Sequence, residues 1–157
     1  MKARLENLLG LDYGTRRAGV AFGDTERRIA MPIETYVRRT PERDAEHFRA
    51  IVAEYAIDRL VVGLPVQANG GEGASAKRAR DWGNWLASVT GLPVVFHDER
   101  YSSVEAEEIL RGADVKHSKR RNQRDRIAAR EILQSYLDAS ISSLNDAPNS
   151  IDRPLYD

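Results

Sequence analysis

Apolar residues gather in short runs over the first hundred positions, and in helical spacing between and after those runs. Residues 7–13, Asn-Leu-Leu-Gly-Leu-Asp-Tyr, read as a buried strand. After a turn at Gly14 to Arg17, residues 18–23 form a second strand, and the pair makes a hairpin. Residues 29–37 are a third strand, placed on an edge by Pro32, which lacks the N–H a ladder needs. Thr40, Pro41 and Glu42 then mark a helix start: a cap, a first-position proline and an early acid. Phe48, Ile51, Val52 and Tyr55 supply its apolar face.

Residues 60–64 are wholly apolar, as expected of a parallel strand covered on both sides. A second helix starts near Ser75, aligns Ala79, Trp82, Leu86 and Val89, and stops at Gly91. Residues 94–99 make a fifth strand. Ser102 and Glu105 match a capping box, which opens a short helix to about Arg111. A last helix is expected from about Arg124 to Ala139. The pattern predicts one domain over residues 1–144 and a flexible tail over 145–157, where Pro148 and Pro154 stand among polar residues.

Strands joined by short turns pair antiparallel, and strands joined through helices pair parallel with right-handed crossovers. The expected fold is therefore α/β: a five-stranded mixed sheet with helices on both faces. Composition then excludes whole classes of chemistry. With no cysteine there is no disulfide, thiolate metal site or cysteine nucleophile, and three widely spaced histidines make no metal cluster. No run approaches membrane-spanning length, and the first residues lack an apolar leader segment, so the expected location is the cytoplasm, with no membrane partner.

Formal net charge is zero, from 24 basic and 24 acidic residues, but the charge is segregated. Residues 111–130 hold eight Arg or Lys against Asp114 and Asp125, a net of +6, and residues 98–110 hold five acids against Arg100, a net of −4. A basic stretch beside an acidic one suits a polyanion bound at a metal-loaded carboxylate site. The phosphate-binding candidates are Arg16 and Arg17 in the first turn, and Lys119, Arg120, Arg121 and Arg124 in the basic stretch.

Three places draw attention to carboxylates. Asp12 interrupts an apolar strand, where a lone carboxylate is costly unless paired or metal-bound; its bland alternative is bonding to the turn amides. Asp98 and Glu99 close the fifth strand and, by alternation, face opposite sides, so only one of them easily joins Asp12. Asp125 shares a helix face with Ala128, Ala129, Ile132 and Tyr136, which turns it toward the sheet; a helix cap is its alternative role. Together, acids from the first strand, the fifth strand and the last helix would offer hard oxygen ligands for Mg²⁺ or Mn²⁺. Two such ions about 3.5–4 Å apart serve phosphodiester hydrolysis. His97 reads as a core or edge histidine, Trp82 as core and Trp85 as a half-exposed packing residue.

Four segments resemble one known family. Leu11-Asp12-Tyr13-Gly14-Thr15-Arg16-Arg17-Ala18-Gly19-Val20-Ala21 is similar to the opening motif of the YqgF (RuvX) family. So are Val61-Val62-Gly63-Leu64-Pro65, the run Asp98-Glu99-Arg100-Tyr101-Ser102-Ser103-Val104-Glu105-Ala106, and Asp125 with Ala128-Ala129 and Ile132-Leu133. The resemblance covers residues 8–139 in order. It implies a ribonuclease-H-like fold with strand order 3-2-1-4-5, and Asp12, Glu99 and Asp125 as catalytic metal ligands, with Asp98 left open. It further implies a metal-dependent nuclease that matures the 5′ end of pre-16S rRNA or resolves Holliday junctions.

This sequence departs from the family at Arg126, where relatives usually have a small residue, and in its unusually basic 116–124 segment. Two rival readings are an actin-like sugar-kinase fold, for which one domain is too few, and a non-catalytic nucleic-acid-binding module. RNA and DNA, junction and linear substrates, and monomer and homodimer all stay open at this point.

Overall fold

Turns of a few residues leave no room for a crossover, so the first three strands are obliged to pair antiparallel. The computed structural model, which describes residues 4–66, 70–99 and 117–145, with the side chains of the last helix over 123–139, has this arrangement. Strands β1 (Asn7–Asp12), β2 (Arg17–Asp24) and β3 (Met31–Val37) are followed by α1 (Pro41–Glu54), β4 (Arg59–Leu64), α2 (Ala74–Thr90), β5 (Val94–Asp98) and α3 (His117–Asn145). The sheet order is β3-β2-β1-β4-β5. β1 runs antiparallel to β2 and parallel to β4, and β4 runs parallel to β5. The order expected from the family resemblance is the order observed.

Local signals explain the boundaries. The Thr40 hydroxyl accepts a hydrogen bond from the Arg43 N–H at 3.2 Å, with Pro41 opening α1. Gly91 ends α2 at φ 75°, a left-handed conformation that favours glycine, and its N–H donates to the Ala87 carbonyl at 2.9 Å. Pro32 lies in the edge strand β3, where the pairing with β2 shifts register between Val20 and Ala21.

Alternation along β1 sorts the core into two layers. Leu9 and Leu11, with Val20 and Val62, pack against Phe48, Ile51, Trp82 and Leu86 of α1 and α2. Leu8, with Ala21 and Val61, packs against Ala129, Ile132, Leu133 and Leu137 of α3. α3 lies unusually close to the sheet because glycines face it. A Cβ on Gly10 would sit 2.7 Å from the Leu133 Cβ, one on Gly19 would run into the Asp125 carbonyl, and one on Gly63 into Ile132 and the Glu99 carboxylate.

The last helix differs from expectation at both ends: it begins at His117 rather than near Arg124, and it runs to Asn145. The early turns carry Lys, Arg and Gln, which have good helix propensity without an apolar stripe, so a search for hydrophobic period misses them. The basic stretch, which a helix start near Arg124 leaves outside the helix, is from His117 onward the entry of α3. The expected short helix from Ser102 to Arg111, residues 111–116 and the tail beyond Asn145 lie outside the described residues.

The glycine contacts yield a stability prediction. Gly19→Ala places a methyl against backbone rather than against a yielding side chain, so relief requires α3 to move. Urea denaturation should show a loss of about 2–4 kcal/mol, at or above the usual overpacking range. A loss under about 0.5 kcal/mol would mean that α3 is not seated on this strand.

Candidate active site

Asp12 follows Leu8 and Gly10 on the face of β1 that meets α3, at the carboxyl end of the strand. Ligands of open α/β sheets gather at such strand ends. On β5, Phe96 lies against Gly83 of α2, so Asp98 two residues on shares the α2 face and is exposed. Glu99 turns to the α3 side, where its Oε2 occupies the space a Gly63 side chain would need. Its N–H donates to the Leu64 carbonyl at 3.2 Å, extending the β4–β5 ladder by one residue. Of the two adjacent acids, Glu99 is the one on Asp12's side of the sheet.

Asp125 lies within α3, well past its start at His117, so it does not cap the helix. Its backbone carbonyl rests over Gly19, and its Oδ2 accepts a hydrogen bond from Arg17 Nε at 2.8 Å. Asp12, Glu99 and Asp125 therefore share one end of the sheet's α3 face.

The acids are electrostatically aware of one another. Burial, then the charges of Glu99 and Asp125, raise the Asp12 carboxyl well above the usual carboxylate range, and the Arg124 charge opposes them. Burial, and then Asp98, push Glu99 up to about 7. Glu99 Oε2 is buried with no hydrogen-bond donor among the described residues. Such an oxygen is satisfied by a proton or a cation. Hard carboxylate donors with an orphaned oxygen suit a divalent cation such as Mg²⁺ or Mn²⁺. Among the described residues, however, no three His, Asp or Glu groups are clustered closely enough to hold a metal ion. Arg17, engaged with Asp125, stands in part where cationic charge would go.

The basic candidates divide. Arg16 is exposed in the turn after β1, whereas Arg17 is held by Asp125. Arg124 is near enough to Asp12 to affect its ionisation. Lys119, Arg120 and Arg121 lie in the first turns of α3, and their side chains are outside the described residues. His97, on the α3 side of β5, shares a 2.9 Å hydrogen bond with Ser135 Oγ and meets the Tyr136 ring edge-on, and burial lowers its pKa. It is the structural histidine the sequence suggested.

Sequence reasoning missed Arg38. Its Nη1 donates to the Gly14 carbonyl at 2.7 Å, and its guanidinium lies 5.3 Å from the Tyr13 ring centroid, bracing the turn after Asp12. Nothing local in the sequence links position 38 to that turn; its only signal is its place at the end of β3, two strands away in the sheet.

The raised acids imply a pH dependence in chelator-treated protein. The folded state holds its proton on Glu99 up to about 7, while the unfolded chain releases it near 4.5. Between those values the folded state binds more protons, so this contribution to stability falls as pH rises and is lost above about 7. Asp12 acts in the same direction. Glu99→Gln should stabilise the metal-free protein by roughly 1–3 kcal/mol at pH 8 and by little at pH 4. Denaturation curves at the two pH values check this, and equal effects at both would contradict it.

A sequence profile of the RuvX family, described as a Holliday junction resolvase, matches residues 6–139. A chain from Chloroflexus aggregans named "Putative pre-16S rRNA nuclease" is 45% identical over 134 residues, 85% of this chain and 94% of that one. One of the same name from Halothermothrix orenii is 41% identical over 130 residues, 83% and 93% of the two chains. Among solved structures, Thermus thermophilus RuvC in complex with Holliday junction substrate superposes with a TM-score of 0.55 at 14% identity, over 88% of this chain and 97% of that one. At that identity the likeness speaks for the fold, which is ribonuclease-H-like. With the profile spanning all five strands and the acid-bearing helix, and relatives above 40% identity over nearly their whole length, the chain belongs to the RuvX family.

Proposed function

We propose that this protein is a metal-dependent nuclease acting on structured nucleic acid, with the 5′ end of pre-16S rRNA as its substrate and four-way DNA junctions as the second candidate. One observation carries the reading: acids from β1, the end of β5 and α3 share one end of one sheet face, with a buried Glu99 oxygen that no group among the described residues satisfies. A protein using these acids only for stability would gain by replacing them, since each raised pKa is a cost to the folded state.

Asp12 and Glu99, joined by Asp125 once Arg17 releases it, would hold Mg²⁺ or Mn²⁺. Ions bound there supply Lewis-acid activation and neutralise charge on the scissile phosphodiester, and a two-ion site suits this donor set. Asp12 feels the charges of both other acids and would supply the carboxylate most sensitive to a bound cation. Arg17 neutralises Asp125 until a cation or a substrate phosphate offers it another partner. Arg16 and the basic entry of α3 take the backbone phosphates. At a 1.5 Å rise per residue, positions 119–124 fall within about 9 Å of Asp125 along the helix axis, a reach that suits phosphates flanking the reacting one.

The Arg17–Asp125 ion pair also fits the second reading, a binding module in which the acids serve structure. Asp12→Asn separates the two. It preserves shape and removes one charge, so it should lower cleavage by more than about 100-fold with Mg²⁺ or Mn²⁺, while binding in chelator stays within a few-fold of the parent. The assay compares precursor rRNA with four-way junctions. Parental cleavage by Asp12→Asn would overturn the nuclease assignment of this site.

The basic segment has its own test. Replacing Lys119, Arg120 and Arg121 with alanine should weaken binding and flatten the slope of log K against log salt by roughly 2–3, because each phosphate contact releases counterions. An unchanged slope would remove these residues from the interface.

A further inference from the structure

Tyr13 directly follows Asp12, so its side chain falls on the opposite face of the same strand end. There it lines a pocket of about 370 Å³ between the end of β3 and α2, together with Trp82, Trp85, Arg38, Arg39 and Arg78. The aromatic wall is built rather than incidental. The Tyr13 and Trp82 rings pack at 5.4 Å between centroids, and the Arg38 guanidinium lies 5.3 Å from one and 5.9 Å from the other. Trp82 is only 5% exposed, yet its indole N–H is buried without a hydrogen-bond partner among the described residues. Trp85 is part-buried, leaving some of its ring open.

The charges around this wall favour an anion. Asp44 accepts from the Tyr36 hydroxyl and the Arg39 backbone N–H on Oδ1 and is paired through Oδ2 with Arg38 Nε at 3.9 Å, and Asp81 pairs with Lys77. Arg39 and Arg78 are exposed and have no carboxylate partner among the described residues. Aromatic faces flanked by free arginines, with an unmet indole donor, are the chemistry that holds an unpaired base and its phosphates.

We propose that this pocket seats a nucleobase from a single-stranded segment of the substrate, with Arg39 and Arg78 on the phosphates to either side. The proposal rests on the nuclease reading and deepens it. A strand crossing the sheet end at Asp12 and Tyr13 would present its scissile phosphate on one face and anchor an unpaired base on the other, so the enzyme would favour a paired region next to a single-stranded flank.

The chain's only two tryptophans both line the pocket, so intrinsic fluorescence reports on it selectively. In chelator, a seven-nucleotide single-stranded RNA, the DNA of the same sequence and a blunt RNA duplex are titrated in turn. The single strands should quench saturably and the duplex should not; the tighter of RNA and DNA identifies the source of the strand. No quench, or equal quench by the duplex, overturns the proposal. By anisotropy with labelled oligonucleotide, Trp85→Ala should weaken single-strand binding about 5- to 100-fold, and Trp85→Phe should retain most of it. Equal losses in the two variants would point to misfolding rather than stacking and count against the pocket. The two readings fail separately: absent quench with parental cleavage intact overturns the pocket alone, whereas an Asp12→Asn chain that cleaves like the parent overturns the nuclease reading.

Discussion

The contact on which the rest depends is between backbone and backbone: the carbonyl of Asp125 resting on Gly19. Helices usually lie on sheets with side chains between them. Here Gly10, Gly19 and Gly63 remove that spacer on β1, β2 and β4, and α3 settles against them. The inward approach brings an acid of the helix within electrostatic range of an acid on the central strand. It also opens the space beside Gly63 in which the Glu99 carboxylate lies. The same small residues that close the core thus bring these acids together.

That proximity has an electrostatic cost, since like charges are gathered where water is scarce. The protein answers with protonation and a cation of its own. Glu99 is held near neutrality, the Asp12 proton is retained well beyond its usual range, and Arg17 bonds Asp125. Each device can be undone by a better cation, which is what the proposed metal site requires. Arg124 contributes from the next position along α3 and draws Asp12 back toward ionisation.

Much of this was legible in the sequence. Apolar alternation and caps gave all five strands and the first two helices, and the inward face of the last helix was plain from Asp125, Ala128, Ala129, Ile132 and Tyr136. Strand parity predicted that one of Asp98 and Glu99 would turn away from Asp12, though not which. Other features were hidden for physical reasons. The extra turns at the start of α3 have helix-forming but wholly polar residues, which carry no period to detect. The Arg17–Asp125 pair joins positions 108 residues apart, and the grip of Arg38 on the Gly14 carbonyl spans 24, so no local pattern encodes either. The role of the glycines as a seat for α3 exists only once the sheet and helix are assembled. Trp82 and Trp85 read as core and half-exposed packing residues and do pack in that layer; that they also line a pocket shows only once α1, α2 and the end of β3 are assembled.

The edge strand has a further consequence. β3 leaves Met31 and Val37 more than half exposed, on the border of a sheet that would otherwise offer a neighbour its free ladder. Pro32 withholds one donor from that border, and the register shift opposite it bends the strand. A template with a missing rung and a kink pairs poorly with a second chain. The hydrophobic side chains on this edge can therefore stand in solvent without two molecules zipping together into a continuous, aggregating sheet.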